Sequence, residues 1–210
     1  MMFNLLKSTL IVISLICSNV FGQTINRYGT TAANFLEIGV GSRATSMGDA
    51  YVAVANDVSS IYWNPAGLSN VSNSSALFMV QPWLVDIDML FAGGAVVVPN
   101  VGVLGLGITH LDYGEMDVTN LEYQDGTGER FGASDMDATF TFSRKIVSWF
   151  SFGSSMKYIS SNIWHSSASA FAVDLGVLVN TKFFSFTGND KDGMNIGMSI
   201  SNYGTRMQYD

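Results

Sequence analysis

Cysteine is all but missing from this chain. The one residue of that type, Cys17, sits in an apolar N-terminal run, so the rest of the sequence offers neither a disulfide framework nor a thiolate metal site. Proline is scarce, with three residues, and histidine is limited to His110 and His165. Basic side chains are few: 10 Lys and Arg stand against 17 Asp and Glu, a formal charge of −7. Such a chain lacks the electrostatic footprint that holds a phosphate backbone, which excludes nucleic acid as a partner. Charge is low overall, 13% beside 48% hydrophobic residues, and that excludes disorder. What is plentiful is glycine, 21 of 210 residues, together with 12% aromatics. This mixture favours strands and tight turns over helices.

Residues 1–22 read as a secretory leader, with Lys7 as the basic residue, an apolar core over 10–16, and small Val20 and Gly22 ahead of the cut before Gln23. That core is too short to cross hydrocarbon, which takes about 20 residues of helix. Ile16 stands where a lipidation box needs a small residue, so Cys17 belongs to the leader. At the other end, Asn202-Tyr203-Gly204-Thr205 is a turn signal followed by the start of what reads as another strand. The expectation is a chain continuing past Asp210.

Residues 89–109 carry no formal charge, which satisfies the length of a membrane helix. Against a helix, the glycines at 93, 94, 102, 105 and 107 each disfavour it by about 1 kcal/mol, and Pro99 interrupts the middle. The better reading is a hairpin, strands over 90–98 and 101–108 joined through Pro99-Asn100. Period-two alternation follows repeatedly: Met136, Ala138, Phe140 and Phe142 against Asp137, Thr139, Thr141 and Ser143; then Phe152, Met156 and Tyr158 against Ser151, Ser155 and Lys157. Similar runs cover 170–180 and 195–201. Each is longer than the 5 to 6 residues usual in a soluble sandwich. One face is Phe, Val, Leu and Met; the other is Gly, Ser, Thr and Asn with an occasional Asp or Lys. That fits strands with lipid outside and a crowded lumen inside. Trp149-Phe150, Phe183-Phe184, Tyr113 and Trp83 fall at run ends, where an interfacial girdle would sit. Short connections at 99–100 and 145–148 and longer ones at 114–134 and 159–169 suggest periplasmic turns and outer loops.

The segment 23–73 does not alternate in this way. One strand is expected over 50–55, followed by a short helix with Asp57 as N-cap and Asn64, biased out of the helical region by Pro65, as its end. Such a compact aromatic element is what a plug would look like.

Chemistry is thinly represented. Gly39-Val40-Gly41-Ser42-Arg43-Ala44 matches a dinucleotide fingerprint but lacks a following helix, because Gly48 interrupts it. His110 and His165 stand apart from any serine nucleophile motif, and Asp125 and Glu129 in a glycine turn supply too few ligands for calcium alone. No catalytic residue, metal or cofactor is expected. The distinctive stretch is Tyr62-Trp63-Asn64-Pro65-Ala66-Gly67-Leu68, an aromatic pair, a proline stop and a glycine release able to wedge a helix end against a wall.

Here the residues resemble a known family. Phe35-Leu36-Glu37-Ile38-Gly39-Val40-Gly41-Ser42-Arg43-Ala44, then Met47-Gly48-Asp49-Ala50-Tyr51-Val52-Ala53, then Asn56-Asp57 and Trp63-Asn64-Pro65-Ala66-Gly67-Leu68 are similar to the N-terminal signature of PorV/PorQ-type proteins. Asp112-Tyr113-Gly114-Glu115-Met116, Gly126-Thr127-Gly128-Glu129, Lys157-Tyr158-Ile159 and Ser201-Asn202-Tyr203-Gly204 extend the likeness. The resemblance implies an all-β fold: an antiparallel transmembrane β-barrel of FadL-like type over 74–210, after a leader over 1–22 and a hatch over 23–73. Its hatch motif would comprise Arg43, Met47, Gly48, Asp57, Tyr62, Trp63, Asn64, Pro65, Ala66 and Gly67. At about 15 residues per strand and connection, 74–210 supplies roughly nine strands, fewer than such a barrel holds. The barrel is therefore expected to be incomplete, or to pair its edge with another chain.

The implied function is non-enzymatic. It is the binding or handing over of cargo proteins in type IX secretion at the bacterial outer membrane, with lipid, a translocon, an attachment complex and cargo C-terminal domains as partners. The alternative is a channel with a hydrophobic ligand in its lumen, and a third reading is a secreted β protein of the soluble fraction.

Overall fold

The computed structural model describes residues 32–85, 87–188 and 193–210. The expected leader and its cleavage point lie outside them. From residue 75 the chain forms seven strands: β1 (Ser75–Pro82), β2 (Asp88–Val98), β3 (Gly102–Asp117), β4 (Arg130–Val147), β5 (Phe150–Ile163), β6 (Ser166–Asn180) and β7 (Asn195–Gly204). Each pairs antiparallel with the next, in the order β1-β2-β3-β4-β5-β6-β7. This is an all-β meander, as expected, but among the described residues β1 and β7 have no outer neighbour and the sheet is not closed. The strands are also fewer than nine because they are longer than assumed, reaching 16 residues in β3 and 18 in β4. No described helix is long and apolar enough to cross a membrane.

The hairpin read through Pro99-Asn100 is present, with Val98 opposite Gly102. Asn100 takes a left-handed φ of 65°, the conformation that a tight return demands and that asparagine tolerates. The turn expected over 145–148 is shorter than expected, since β4 runs to Val147 and β5 resumes at Phe150.

Two connections expected to be long are corrected. The stretch 159–169 is not an outer loop: β5 and β6 continue through it to a two-residue return at Trp164 and His165, with Ile163 opposite Ser166. Its serines, alanines and asparagine look loop-like in sequence, yet small side chains are what a crowded inner face accepts. The stretch 114–134 keeps a long connection only over 118–129, while 114–117 and 130–134 belong to β3 and β4. The strand expected over 50–55 is absent as well. Val54 N and Ala55 N both donate to Tyr51 O, so these residues coil through turns. Gly48 and Asp49 at φ 63° and 64° reverse the chain just before them, which breaks any extended run.

The sheet is built inside out relative to a water-soluble one. In β4, β5 and β6 the buried residues include Asp135, Asp137, Thr139, Thr141, Ser143, Ser151, Ser155, Lys157 and Asp174, beside small alanines and the apolar Ile159 and Leu178. The large apolar residues between them face outward: Phe140 is 47% exposed, Met156 67% and Phe171 64%, against 0% for Thr141 and 1% for Ser155 and Asp174. An apolar surface this extensive needs a nonaqueous cover. Trp83, Trp149, Phe183 and Phe184 are exposed near strand ends. Tyr113 departs from that set, because it is half-buried and donates to Asp135 Oδ2 at 2.7 Å.

Candidate functional site: the N-terminal segment and its glycine seat

Residues 33–73 pack against the inner face of the sheet as short helical turns, Asn34–Glu37, Ser42–Thr45, Ser60–Trp63 and Pro65–Asn70. None is long enough to be stable alone, so their order comes from tertiary contact. Phe35, Leu36 and Val40 join Met89, Phe91 and Leu111 of the sheet in one apolar cluster. Val58, Ile61 and Leu68 join Ala95 and Val103 in a second.

Close approach depends on glycines whose placement in strands looked only like helix avoidance. A Cβ at Gly105 would lie 2.8 Å from Leu68 Cδ2, and one at Gly107 would lie 2.9 Å from Ile61 Cγ2. One at Gly153 would run into the backbone of Pro65 and Ala66, and one at Gly176 into Asn64 Oδ1. Gly153 and Gly176 stand opposite each other in the ladder. Together they form a notch across β5 and β6 that receives the Asn64-Pro65-Ala66 corner.

Asn64 is the centre of this contact and is wholly buried. With φ −160° and ψ 106° it ends the helix Ser60–Trp63, as expected before Pro65. Its Nδ2 donates to Val52 O at 2.8 Å and to Val177 O of β6 at 3.2 Å. Its Oδ1 accepts from Ala66 N at 3.0 Å. Ser143 Oγ of β4 donates to Ala66 O at 3.1 Å.

The neighbouring aromatics fasten the segment to itself. Trp63 Nε1 donates to Val40 O at 2.8 Å and Tyr62 OH to Leu36 O at 2.6 Å. The two rings meet edge to face at 5.0 Å. Tyr51 OH donates to Asp57 Oδ2 at 3.2 Å. Burial raises the Tyr62 phenol well beyond its usual range, reinforced by the charges of Asp49 and Asp137, and burial followed by Asp57 raises Tyr51. Both stay neutral donors, so they hold structure and do not move protons near neutral pH.

Asp57 is not the N-cap that was expected, because the helix begins two residues later than a cap at 57 requires, and its carboxylate instead braces the turn before it. Its Oδ1 accepts from Ser59 N at 2.9 Å and from Ser59 Oγ, while Ser59 holds the N-cap position. Gly67 abuts the backbone of Ala55. Arg43 donates from Nη1 to Asn56 Oδ1 at 2.9 Å and lies over the Tyr51 ring. Of the motif residues, Met47 is left exposed and Gly48 serves the turn.

Sequence reading passed over a second constellation. On the inner face, Lys157 Nζ of β5 lies 2.9 Å from Asp174 Oδ2 of β6, with both side chains buried. Lys157 also donates to Asn202 Oδ1 at 2.8 Å, and Asn202 N donates to Asp174 Oδ1 at 2.7 Å. This ties β7 to β6 where the ladder shifts register between Val173 and Leu175. The signal was available: a lysine and an aspartate in strands that otherwise alternate apolar with small residues must find each other if both point inward.

Other expectations settle by position. Gly39 and Gly41 precede, and Ala44 lies within, a helical turn of only four residues, Ser42–Thr45, and the sheet has only antiparallel pairs, so no dinucleotide cradle forms. His165 stacks on Trp164 at 4.6 Å in the β5–β6 return. Among the described residues no group of three or more His, Cys, Asp or Glu is placed to hold a metal.

No curated protein matches the chain. The sequence model of one family, described as Type IX secretion system protein PorV, matches residues 21–210. The chain therefore belongs to the PorV family, a component of the type IX secretion system located in the bacterial outer membrane.

Proposed function

We propose that this protein binds exported cargo, or the machinery that receives it, through the strand-end surface formed by the β3–β4 loop and the β5–β6 return, while residues 33–73 act as a fixed hatch. The observation that carries this reading is the loop itself. It crowns the two longest strands and presents Leu121, 95% exposed, and Tyr123, 58% exposed.

The loop holds its shape. Val118 N donates to Glu129 O at 2.9 Å, Thr127 N to Val118 O at 2.7 Å, and Asn120 Oδ1 accepts from the amides of Glu122 and Tyr123. At its base Arg130 bridges Glu115 at 2.7 Å and Asp117 at 3.2 Å. Phe131 meets Trp164 at 6.0 Å, and Trp164 N donates to Gly132 O, which sets an exposed tryptophan beside the loop. Ordered, exposed apolar groups of this kind bind protein partners at low entropic cost.

The apolar-solute channel gains no comparable support, since residues 33–73 occupy the inner face and cover its apolar patches around Phe91 and Val103. Deleting the gene should abolish secretion of cargo that carries the C-terminal domain, and Leu121→Ala with Tyr123→Ala should reduce cargo cross-linking without lowering barrel abundance. Unchanged secretion in the deletion strain rejects the reading.

A further inference from the structure

Where residues 33–73 meet the ends of β4, β6 and β7 there is an open cavity of about 720 Å³, lined by Arg43, Asn56, Asn70, Lys145, Ser148, Asn180 and Asn195 together with Ala53, Val54, Ala55 and Leu178. Two cations and four carboxamides face it, and no carboxylate lines it among the described residues.

Arg43 is already oriented, though not neutralised. Its guanidinium is held by the neutral Asn56 carboxamide at 2.9 Å and lies 5.4 Å from the centre of the Tyr51 ring. The nearby carboxylate of Asp57 is engaged by Tyr51 and Ser59. Neither Arg43 nor Lys145 has a carboxylate partner among the described residues, unlike Arg130 and Lys157. Asn180 Nδ2 donates to Asn195 Oδ1 at 2.8 Å, which leaves Asn180 Oδ1 buried without a donor. A ligand suited to this lining carries negative oxygens for the two cations.

We infer that the cavity lined by Arg43 and Lys145 binds a phosphate, which two sources can supply: free hydrogen phosphate or an anionic phospholipid headgroup. Arg43 supplies the pre-aimed planar donor and Lys145 a second, flexible charge. The carboxamides satisfy the remaining oxygens. The inference is independent of the cargo reading, because this lining shares no residue with the β3–β4 loop.

The test is calorimetric titration of the full chain, folded in a zwitterionic detergent, with inorganic phosphate and separately with short-chain phosphatidylglycerol. Saturable binding of either probe is expected, and which probe binds identifies the source. Arg43→Gln should weaken it about tenfold, the effect of losing one charge-assisted contact. Lys145→Gln should weaken it less, about threefold, because that ammonium is exposed. Arg130→Gln removes the same charge elsewhere and should leave binding unchanged. If Arg43→Gln fails to fold, Lys145→Gln decides on its own. Absence of saturable binding, or equal weakening by Arg130→Gln, overturns the assignment.

Discussion

Replacing Asn64 with leucine keeps the side chain's branching and heavy-atom count and removes every polar contact that the Asn64 side chain makes at the corner seating residues 33–73 in the sheet. Two donated bonds, to Val52 O and Val177 O, and one accepted bond, from Ala66 N, disappear together. Because the site is fully buried, water does not replace them. At about 1 kcal/mol for each lost bond the segment should be loosened by about 3 kcal/mol. That corresponds to a rise on the order of a hundredfold in its open population. Hydrogen exchange followed by mass spectrometry on the folded protein in detergent reads this directly. Peptides from 33–73 should exchange on the order of a hundredfold faster, while β3, β4 and β5 keep their protection, since their ladders do not involve Asn64. A rise below about threefold in the segment, or an equal rise throughout the sheet, would refute the reasoning, because the corner would then not be what fastens the two parts.

The glycine notch makes a paired prediction. Gly153→Ala should displace the Pro65-Ala66 backbone and lower thermal stability by circular dichroism, by about 1 to 3 kcal/mol, whereas Gly94→Ala, whose Cβ would have its nearest neighbour at 3.9 Å, should be near neutral. Lys157→Met strands Asp174 and should cost about 3 to 5 kcal/mol. The double change Lys157→Met with Asp174→Leu should recover most of that in chemical denaturation, and failure of the second change to recover stability would mean that the pair is not an isolated ionic unit.

Strand existence and facing were legible because alternation survives any register. Met136, Ala138, Phe140 and Phe142 share a side whatever lies next to them, and only the assignment of that side to lipid required the further observation that the opposite side is small and hydroxylated. Boundaries were less legible. Serine, alanine and asparagine at 160–169 carry no strand preference of their own, and they are in the ladder because β5 and β6 zip past them to Trp164. Residues 50–55 misled in the opposite sense. Val52 and Val54 look β-like, but Gly48 and Asp49 had already turned the chain.

At the site, Asn64 and Pro65 were readable as a helix end from local backbone rules. Their landing place was not, because Gly153 and Gly176 are distant in sequence and a glycine in a strand does not name the atom that approaches it. The Lys157–Asp174–Asn202 link was hidden for the same reason, since only the register brings its members together.

The account rests on a sheet whose apolar side meets hydrocarbon, and spin labels report that most directly. Nitroxides placed one at a time along β4 and β5, from Ala138 to Ser143 and from Ser154 to Ile159, in the protein reconstituted in bilayers, give collision rates with oxygen and with a water-soluble nickel reagent. The prediction is strict alternation: labels at 138, 140, 142, 154, 156 and 158 collide with oxygen and are shielded from nickel, while those at 139, 141, 155 and 157 are shielded from both. Labels at 140 and 156 that met nickel as freely as a surface loop would contradict it.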